Sequence, residues 1–379
     1  VFAYIPQSLI LVQYHENPMI IAPAAFGHDP LMALASNWAV TSAPYGPLGV
    51  IFDALPTFVA GRHVLANLLL LKFLFSGMMI ASAYLVYRLL RIVRPSAALT
   101  GALLLAWNPL LIFEIGANGH NDAAMIFFAL LALLMAAEGD LLLAVLMMTV
   151  SLLVKYETAP LLPLLLAYGV SRYDRWWPRA RYLGLSGAII LGVMAISYAP
   201  FWDGIYTIQR TLYENQFYLY SFSSVLTDIV PSLPIDTATL IGRVLFVPLY
   251  LYALVMSWRG LPSLLTASLL AAVAFLALAV NDVKYWYLAL PVALSAAVPG
   301  TRARIALVVA ALGVEVVAVF TNIYVWVWQG VTYANFVHLN EIGYLAIFVA
   351  PVLVTAALVL KARVKGRRFQ LSVAPEPAP

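Results

Sequence analysis

No cysteine occurs anywhere in the 379 residues. Disulfide frameworks and thiolate metal sites are thereby excluded. Charge is nearly as scarce, at 10% of residues against 64% hydrophobic, and the mean hydropathy is +0.93. No soluble domain of this length needs so much apolar surface, so the chain reads as an all-α polytopic membrane protein. The net charge of +4 is small and reflects basic residues placed in loops. No nucleic-acid partner is expected. A basic n-region and a signal peptide are also lacking, and the chain opens on Val1 instead of Met. We expect the natural protein to carry a further segment upstream.

Long apolar runs begin only near residue 65. Residues 1–64 hold Pro6, Pro18, Pro23, Pro30, Pro44, Pro47 and Pro56, with His15, His28 and His63. We expect a large extracytoplasmic loop here, carrying short interfacial helices over 1–14 and 48–59. Residues 65–361 are expected to form a transmembrane helical domain, and 362–379 a disordered cytoplasmic tail. The apolar runs predict about ten to eleven spans, at 65–90, 97–115, 122–137, 141–155, 158–170, 183–200, 237–257, 263–280, 284–299, 305–325 and 342–360. The pair at 141–155 and 158–170 is short for a bilayer, which needs about 20 helical residues. It predicts a hairpin of half-length helices broken at Lys155 and Pro160; one long kinked helix is the alternative. With the hairpin, fifteen of the twenty-one basic residues gather on one side, among them Arg88, Arg91, Arg94, Arg172, Arg175, Arg179, Arg181 and Arg259. The positive-inside rule makes that side cytoplasmic and leaves all five histidines outside. Trp38, Trp202, Tyr206, Tyr213, Tyr218, Tyr220, Trp326 and Trp328 fall on the outer side too, where an aromatic belt accounts for them one by one.

The organising stretch is Asn118-Gly119-His120-Asn121-Asp122, a polar turn between two apolar segments. Asn121 suits an N-cap, and Asp122 would fall in the first helical turn, where a carboxylate favours the positive end of the dipole. Capping does not explain His120, Asn118 and nearby Glu114, and Gly116 and Gly119 would let the backbone approach a ligand. Lys155 lies inside apolar sequence. A lysine at membrane depth costs about 2.5–3.5 kcal/mol on insertion scales and usually has a partner. Lys155 is either a snorkelling lysine at a span end, paired with Glu157, or a cation for a bound phosphate. Lys284, in Asn281-Asp282-Val283-Lys284-Tyr285-Trp286-Tyr287, is either a surface partner of Asp282 or a second phosphate or sugar contact. Trp286 or Tyr287 would then stack on a sugar or line a lipid groove. Asp29, after His28, is either a turn residue before Pro30 or a carboxylate aimed back at the turn around His120. Pro44-Tyr45-Gly46-Pro47 reads chiefly as a structural turn that starts the second interfacial helix.

These motifs, in this order, resemble the GT-C superfamily of integral-membrane glycosyltransferases, and most of all the polyprenol-phosphate-mannose-dependent mannosyltransferases of bacteria and archaea. The resemblance rests on Phe2-Ala3-Tyr4, Asn17-Pro18, Asp29-Pro30, Tyr45-Gly46-Pro47, Asn108-Pro109-Leu110, Gly119-His120-Asn121-Asp122, Lys155 with Pro160 and Pro163, and Trp286-Tyr287. It covers most of residues 1–290. It implies inverting transfer of a sugar, mannose first among the possibilities, from a polyprenyl-phosphate donor to a lipid or glycan acceptor. The implied setting is the extracytoplasmic face of the plasma membrane of a bacterium or archaeon. On this reading the candidate catalytic residues are Asp29, His120 and Asp122. The candidate substrate and phosphate contacts are Lys155, Lys284, Asn118, Asn121, Tyr45, Tyr156, Trp286 and Tyr287. No cofactor and no metal are expected. The family's catalytic Asp opens the first outer loop. We therefore expect an Asp within a few residues before Val1, at the end of an additional transmembrane helix, and an inactive 379-residue chain in its absence.

Two other classes stay open. A transporter or flippase also places rare charges among spans, although the inverted repeats it favours are not visible in the sequence. A non-catalytic lipid-binding membrane protein would need the same cations and no proton acceptor.

Overall fold

The computed structural model describes residues 2–209, 218–300, 311–313, 341–354 and 356–357. The expected span 305–325 falls largely outside the described residues. So do the loop 326–341 with Trp326 and Trp328, the end of 342–360, Tyr213 and the tail 362–379.

Two helices precede the first long span. α1 (Tyr4–Val12) and α2 (Pro47–Ala60) pack on each other, with turns and short 3₁₀ segments between them. Pro47 opens α2 at its first turn, where a missing N–H costs nothing. α1 differs from the amphipathic surface helix expected: every residue from Tyr4 to Ile10 is buried. Its polar members Gln7 and Ser8 are uncharged, and the Ser8 hydroxyl donates to the Asp53 carbonyl at 2.9 Å, so burial leaves that group satisfied.

α3 (Val64–Val93) has 30 residues and no proline. At about 1.5 Å per residue it is roughly 45 Å long, more than a hydrocarbon core needs. α4 (Ala98–Ala106) then breaks at Asn108-Pro109 before α5 (Pro109–Leu111) and a π-helical turn (Ile112–Ala117). The two parts are bent by 43°. Pro109 has no N–H, and the Asn108 side chain accepts from the Leu110 N–H at 3.1 Å, capping the second part.

α6 (Asp122–Glu138) ends at Gly139, whose φ of 96° is the left-handed C-cap conformation. α7 (Leu141–Val154) stops where Lys155 turns extended (φ −154°, ψ 130°), and α8 (Leu161–Ser171) follows a single 3₁₀ turn. α7 and α8 are therefore separate short helices. α9 (Trp176–Tyr198), α10 (Phe222–Ile229), α11 (Ile235–Ser257), α12 (Leu261–Ala274), α13 (Ala289–Ala297) and α14 (Glu341–Val354) complete the described helices.

The chain is an all-α polytopic membrane protein. Among the described residues four helices are long and apolar enough to cross a bilayer: Val64–Val93, Trp176–Phe201, Ile235–Ser257 and Leu261–Ala279. The bent pair at Pro95–Ala117 makes a fifth. The expected spans at 122–137, 141–155, 158–170 and 284–299 are the shorter helices α6, α7, α8 and α13. α6 packs against both α3 and α7, and eleven of its 17 residues are buried. It is apolar all round because it lies inside the bundle. Apolar composition alone cannot separate such a helix from one facing lipid.

An ion pair and a side-chain-to-backbone hydrogen bond fix the end of the bundle where α3 and α6 finish. Arg88 near the end of α3 meets Glu138 at the end of α6 at 2.8 Å. Arg94 donates to the Pro299 carbonyl at 2.6 Å, just past α13. At the other end the first loop is tied down by Asn17, whose side chain donates to the Phe201 carbonyl at 2.6 Å and accepts from the Met19 N–H at 2.9 Å.

Candidate active site

The start of α6, the break after α7 and the turn before α13 meet at one place. They enclose a cavity of about 280 Å³ lined by Ala3, Tyr4, Gln7, Trp38, Pro44, Tyr45, His120, Lys155, Tyr156, Glu157, Phe275, Val280, Asp282, Lys284, Trp286 and Tyr287. Seven of the eleven residues singled out from sequence line it: His120, Lys155, Lys284, Tyr45, Tyr156, Trp286 and Tyr287.

Lys155 is the centre of the arrangement. Because α7 ends there in extended backbone, its side chain reaches the first turn of α6. Nζ donates to both carboxylate oxygens of Asp122, at 2.9 and 2.8 Å. Glu157 lies 3.5 Å away on the other side. The ammonium also sits 4.9 Å from the Tyr287 ring centre and 5.8 Å from that of Tyr45, within cation–π range. Asp122 is wholly buried and Lys155 is 6% exposed. A buried pair of this kind is held by geometry, and removing either member leaves an uncompensated charge.

Tyr45 is brought there by a close backbone approach. The Gly46 N–H donates to the Val154 carbonyl at 3.2 Å. A Cβ on Gly46 would run into the Leu153 carbonyl, and one on Gly49 into that of Val154. Two glycines thus let the Tyr45-Gly46-Pro47 turn dock on the end of α7 beside Lys155.

His120 forms another wall. Its ring stacks on Trp286, with centres 4.2 Å apart and planes 21° off parallel. Nε2 lies 3.3 Å from Glu114 and Nδ1 lies 3.4 Å from the Tyr4 hydroxyl. That hydroxyl in turn accepts from the Asn121 N–H at 3.4 Å. Burial holds the His120 pKa below its usual value, against the pull of Glu114. With a neutral ring, the partners assign the tautomer: Nε2–H donates to Glu114, and Nδ1 accepts from Tyr4. The π-helical turn carries Glu114 to this position, and Asn118 donates to the same carboxylate at 3.0 Å.

Four of the singled-out residues lie outside the lining. Asp122 stands behind Lys155, and Asn118 behind His120 through Glu114. Asn121 is buried and donates to Asp53 at 3.0 Å. Asp29 caps the 3₁₀ segment Pro30–Trp38, accepting from the Leu31 N–H at 3.0 Å. Arg62 meets its two oxygens at 2.7 Å each, and Tyr14 donates at 2.9 Å. The guanidinium beside it holds the Asp29 carboxyl well below the usual carboxylate range. In this arrangement Asp29 locks the first loop to the start of α3.

At the far side of the cavity Lys284 pairs with Asp282 at 2.9 Å and lies 5.7 Å from the Trp38 ring centre. The Tyr156 hydroxyl meets that of Tyr198 at 2.8 Å.

Sequence reasoning passed over Asp53, which is 3% exposed in the middle of apolar α2. A lone acid in an apolar helix is the same signal that drew attention to Lys155. From sequence, Glu157 stands out only as a partner for Lys155. Among the described residues neither of its oxygens receives a short hydrogen bond, and it lines the cavity.

Fold and site together define a helical membrane protein with a half-open, aromatic-walled chamber at one end of its bundle, lined by two ammonium groups. Residues 1–170 match the family described as "Alpha-(1->6)-mannopyranosyltransferase, N-terminal domain". The chain is also 24% identical over 166 residues to alpha-(1->6)-mannopyranosyltransferase A of Mycobacterium tuberculosis. That similarity covers 43% of this chain and 31% of the relative, so the chain spans about a third of the protein it matches. The resemblance to membrane mannosyltransferases that the motifs suggested is borne out over this N-terminal part, which contains the His120 turn and Lys155.

Proposed function

We propose that the protein is a membrane glycosyltransferase that moves a mannosyl residue from a polyprenyl-phosphate donor to a lipid or glycan acceptor. The observation that carries this reading is Lys155: a buried ammonium lining a chamber with aromatic walls, within the segment that matches the mannosyltransferase family. A lipid-phosphate donor places a phosphodiester at a membrane surface and a sugar beside it. An ammonium is a suitable point-charge partner for the phosphate. The His120–Trp286 stack and Tyr287 offer faces for a sugar ring or an isoprenoid chain. Asp122 orients Lys155, and Glu114 and Tyr4 orient His120. Lys284 stands as a second cation for the leaving phosphate, whose charge grows as the glycosidic bond breaks. Direct displacement of the phosphate by the acceptor hydroxyl would invert the anomeric centre, with a carboxylate taking the hydroxyl proton.

We place the chamber on the extracytoplasmic side. Arg88 and Arg94 mark the ends of α3, α6 and α13 remote from it, and the positive-inside rule assigns arginine-rich ends to the cytoplasm.

One observation favours a second reading. Asp29 and Asp122 both have their oxygens committed to cations, which suits a non-catalytic binder of the lipid phosphate. Transfer separates the two. Membranes carrying the protein expressed from its complete gene, given labelled polyprenyl-phosphate mannose, are expected to release polyprenyl phosphate and label an acceptor. Donor binding without release would establish the binder.

A further inference from the structure

We propose that Glu157 carries a proton whenever a phosphate group occupies the chamber beside Lys155, and donates that proton as a hydrogen bond to a phosphate oxygen. This rests on the phosphate reading of the chamber.

The argument begins with charge. Lys155 is one cation between two carboxylates. Asp122 takes both of its short hydrogen bonds, at 2.9 and 2.8 Å, and is wholly enclosed. Glu157 is left at 3.5 Å, 9% exposed, with neither oxygen receiving a short hydrogen bond among the described residues. If both acids are ionised the cluster carries a net −1. A phosphodiester entering beside it then meets repulsion in a place where little water screens it. A single proton on Glu157 removes that repulsion and supplies a donor where the cluster has only Nζ left to offer. Asp122 cannot serve instead without giving up its two bonds to Lys155.

Two elements besides its own bring groups against Glu157, Asp122 on α6 and Tyr287 on the turn before α13, and Tyr45 on the turn before α2 flanks their shared partner Lys155. Both tyrosines are neutral donors and add no positive charge. Burial raises the Glu157 pKa, the Asp122 charge raises it further, and Lys155 opposes them. The sign of the linkage follows. Phosphate binding takes up a proton when Glu157 starts ionised, so affinity falls as pH rises through the pKa of Glu157.

The probe is dodecyl methyl phosphate, a diester whose charge stays constant from about pH 5 to about pH 9. Wild-type affinity is expected to fall about tenfold per pH unit above the pKa of Glu157. Calorimetry in two buffers of different ionisation heat should show uptake of about one proton in that range. Glu157→Gln keeps the shape and a neutral N–H donor, so its affinity should be flat over the same range. His120 also lines the chamber, and a pH slope that persists in Glu157→Gln would assign the proton to another group and overturn the proposal. Affinity rising with pH, or no proton uptake by the wild type, would overturn it equally, and the calorimetric arm does not depend on how the variant folds. If the wild type binds no phosphodiester at any pH, the phosphate reading of the chamber itself fails and this inference fails with it.

Discussion

Lys155→Ala alone is expected to cost both stability and donor binding, and the two losses separate in a paired variant. Removing the ammonium leaves the Asp122 carboxylate wholly buried with its two strongest hydrogen bonds gone. Breaking a buried pair from one side costs about 3–5 kcal/mol, enough to reduce the yield of folded protein sharply. Lys155→Met together with Asp122→Asn removes both charges at similar volume, and replacing a whole buried pair is close to neutral. The double variant should therefore recover thermal stability in detergent while binding of polyprenyl phosphate stays lost. Recovery of stability together with normal binding would return Lys155 to a purely structural role. Failure of the double variant to recover would mean that Glu157, left without its cation 3.5 Å away, or specific packing at the pair carries part of the loss.

Gly46→Ala is the second large effect. The added methyl would collide with the Leu153 carbonyl, which belongs to the last turn of α7 and cannot swing aside as a side chain can. The turn must back away, stretching the Gly46 N–H to Val154 bond of 3.2 Å and withdrawing Tyr45 from Lys155. Overpacking of this kind costs about 1–3 kcal/mol, so Tm should drop by several degrees and donor affinity with it. Gly77 in α3 has open space around its Cβ position. Gly77→Ala should be neutral or stabilising by up to about 1 kcal/mol, since alanine suits a helix interior better. Equal effects at the two positions would remove the close-approach argument.

The residues that sequence reasoning located best are those out of place for their surroundings. Lys155 stands out as a lone cation between apolar runs, and the Asn118–Asp122 turn as a polar island between two more. In the structure that turn sends successive residues to different duties: His120 to the chamber wall, Asn121 to Asp53, Asp122 to Lys155. Such division is not legible in a linear string. The Lys155–Asp122 partnership spans 33 positions and depends on how α6 and α7 pack. Asp29 shows the opposite difficulty. It is conspicuous beside His28 and Pro30, yet its main partner is Arg62, a residue at the edge of α3 with nothing unusual in its local sequence. Apolar runs located most of the helices but could not say which of them face lipid. α6 and α3 read alike in composition, and only packing shows that α6 lies within the bundle.

The most direct measurement of the central claim is an electron cryo-microscopy structure of the protein in lipid nanodiscs containing polyprenyl phosphate. The phosphate is expected within hydrogen-bonding distance of Lys155 Nζ, inside the chamber walled by His120, Trp286 and Tyr287, with the isoprenoid chain leaving towards the bilayer. A lipid phosphate bound elsewhere on the protein, with this chamber holding none, would contradict the account.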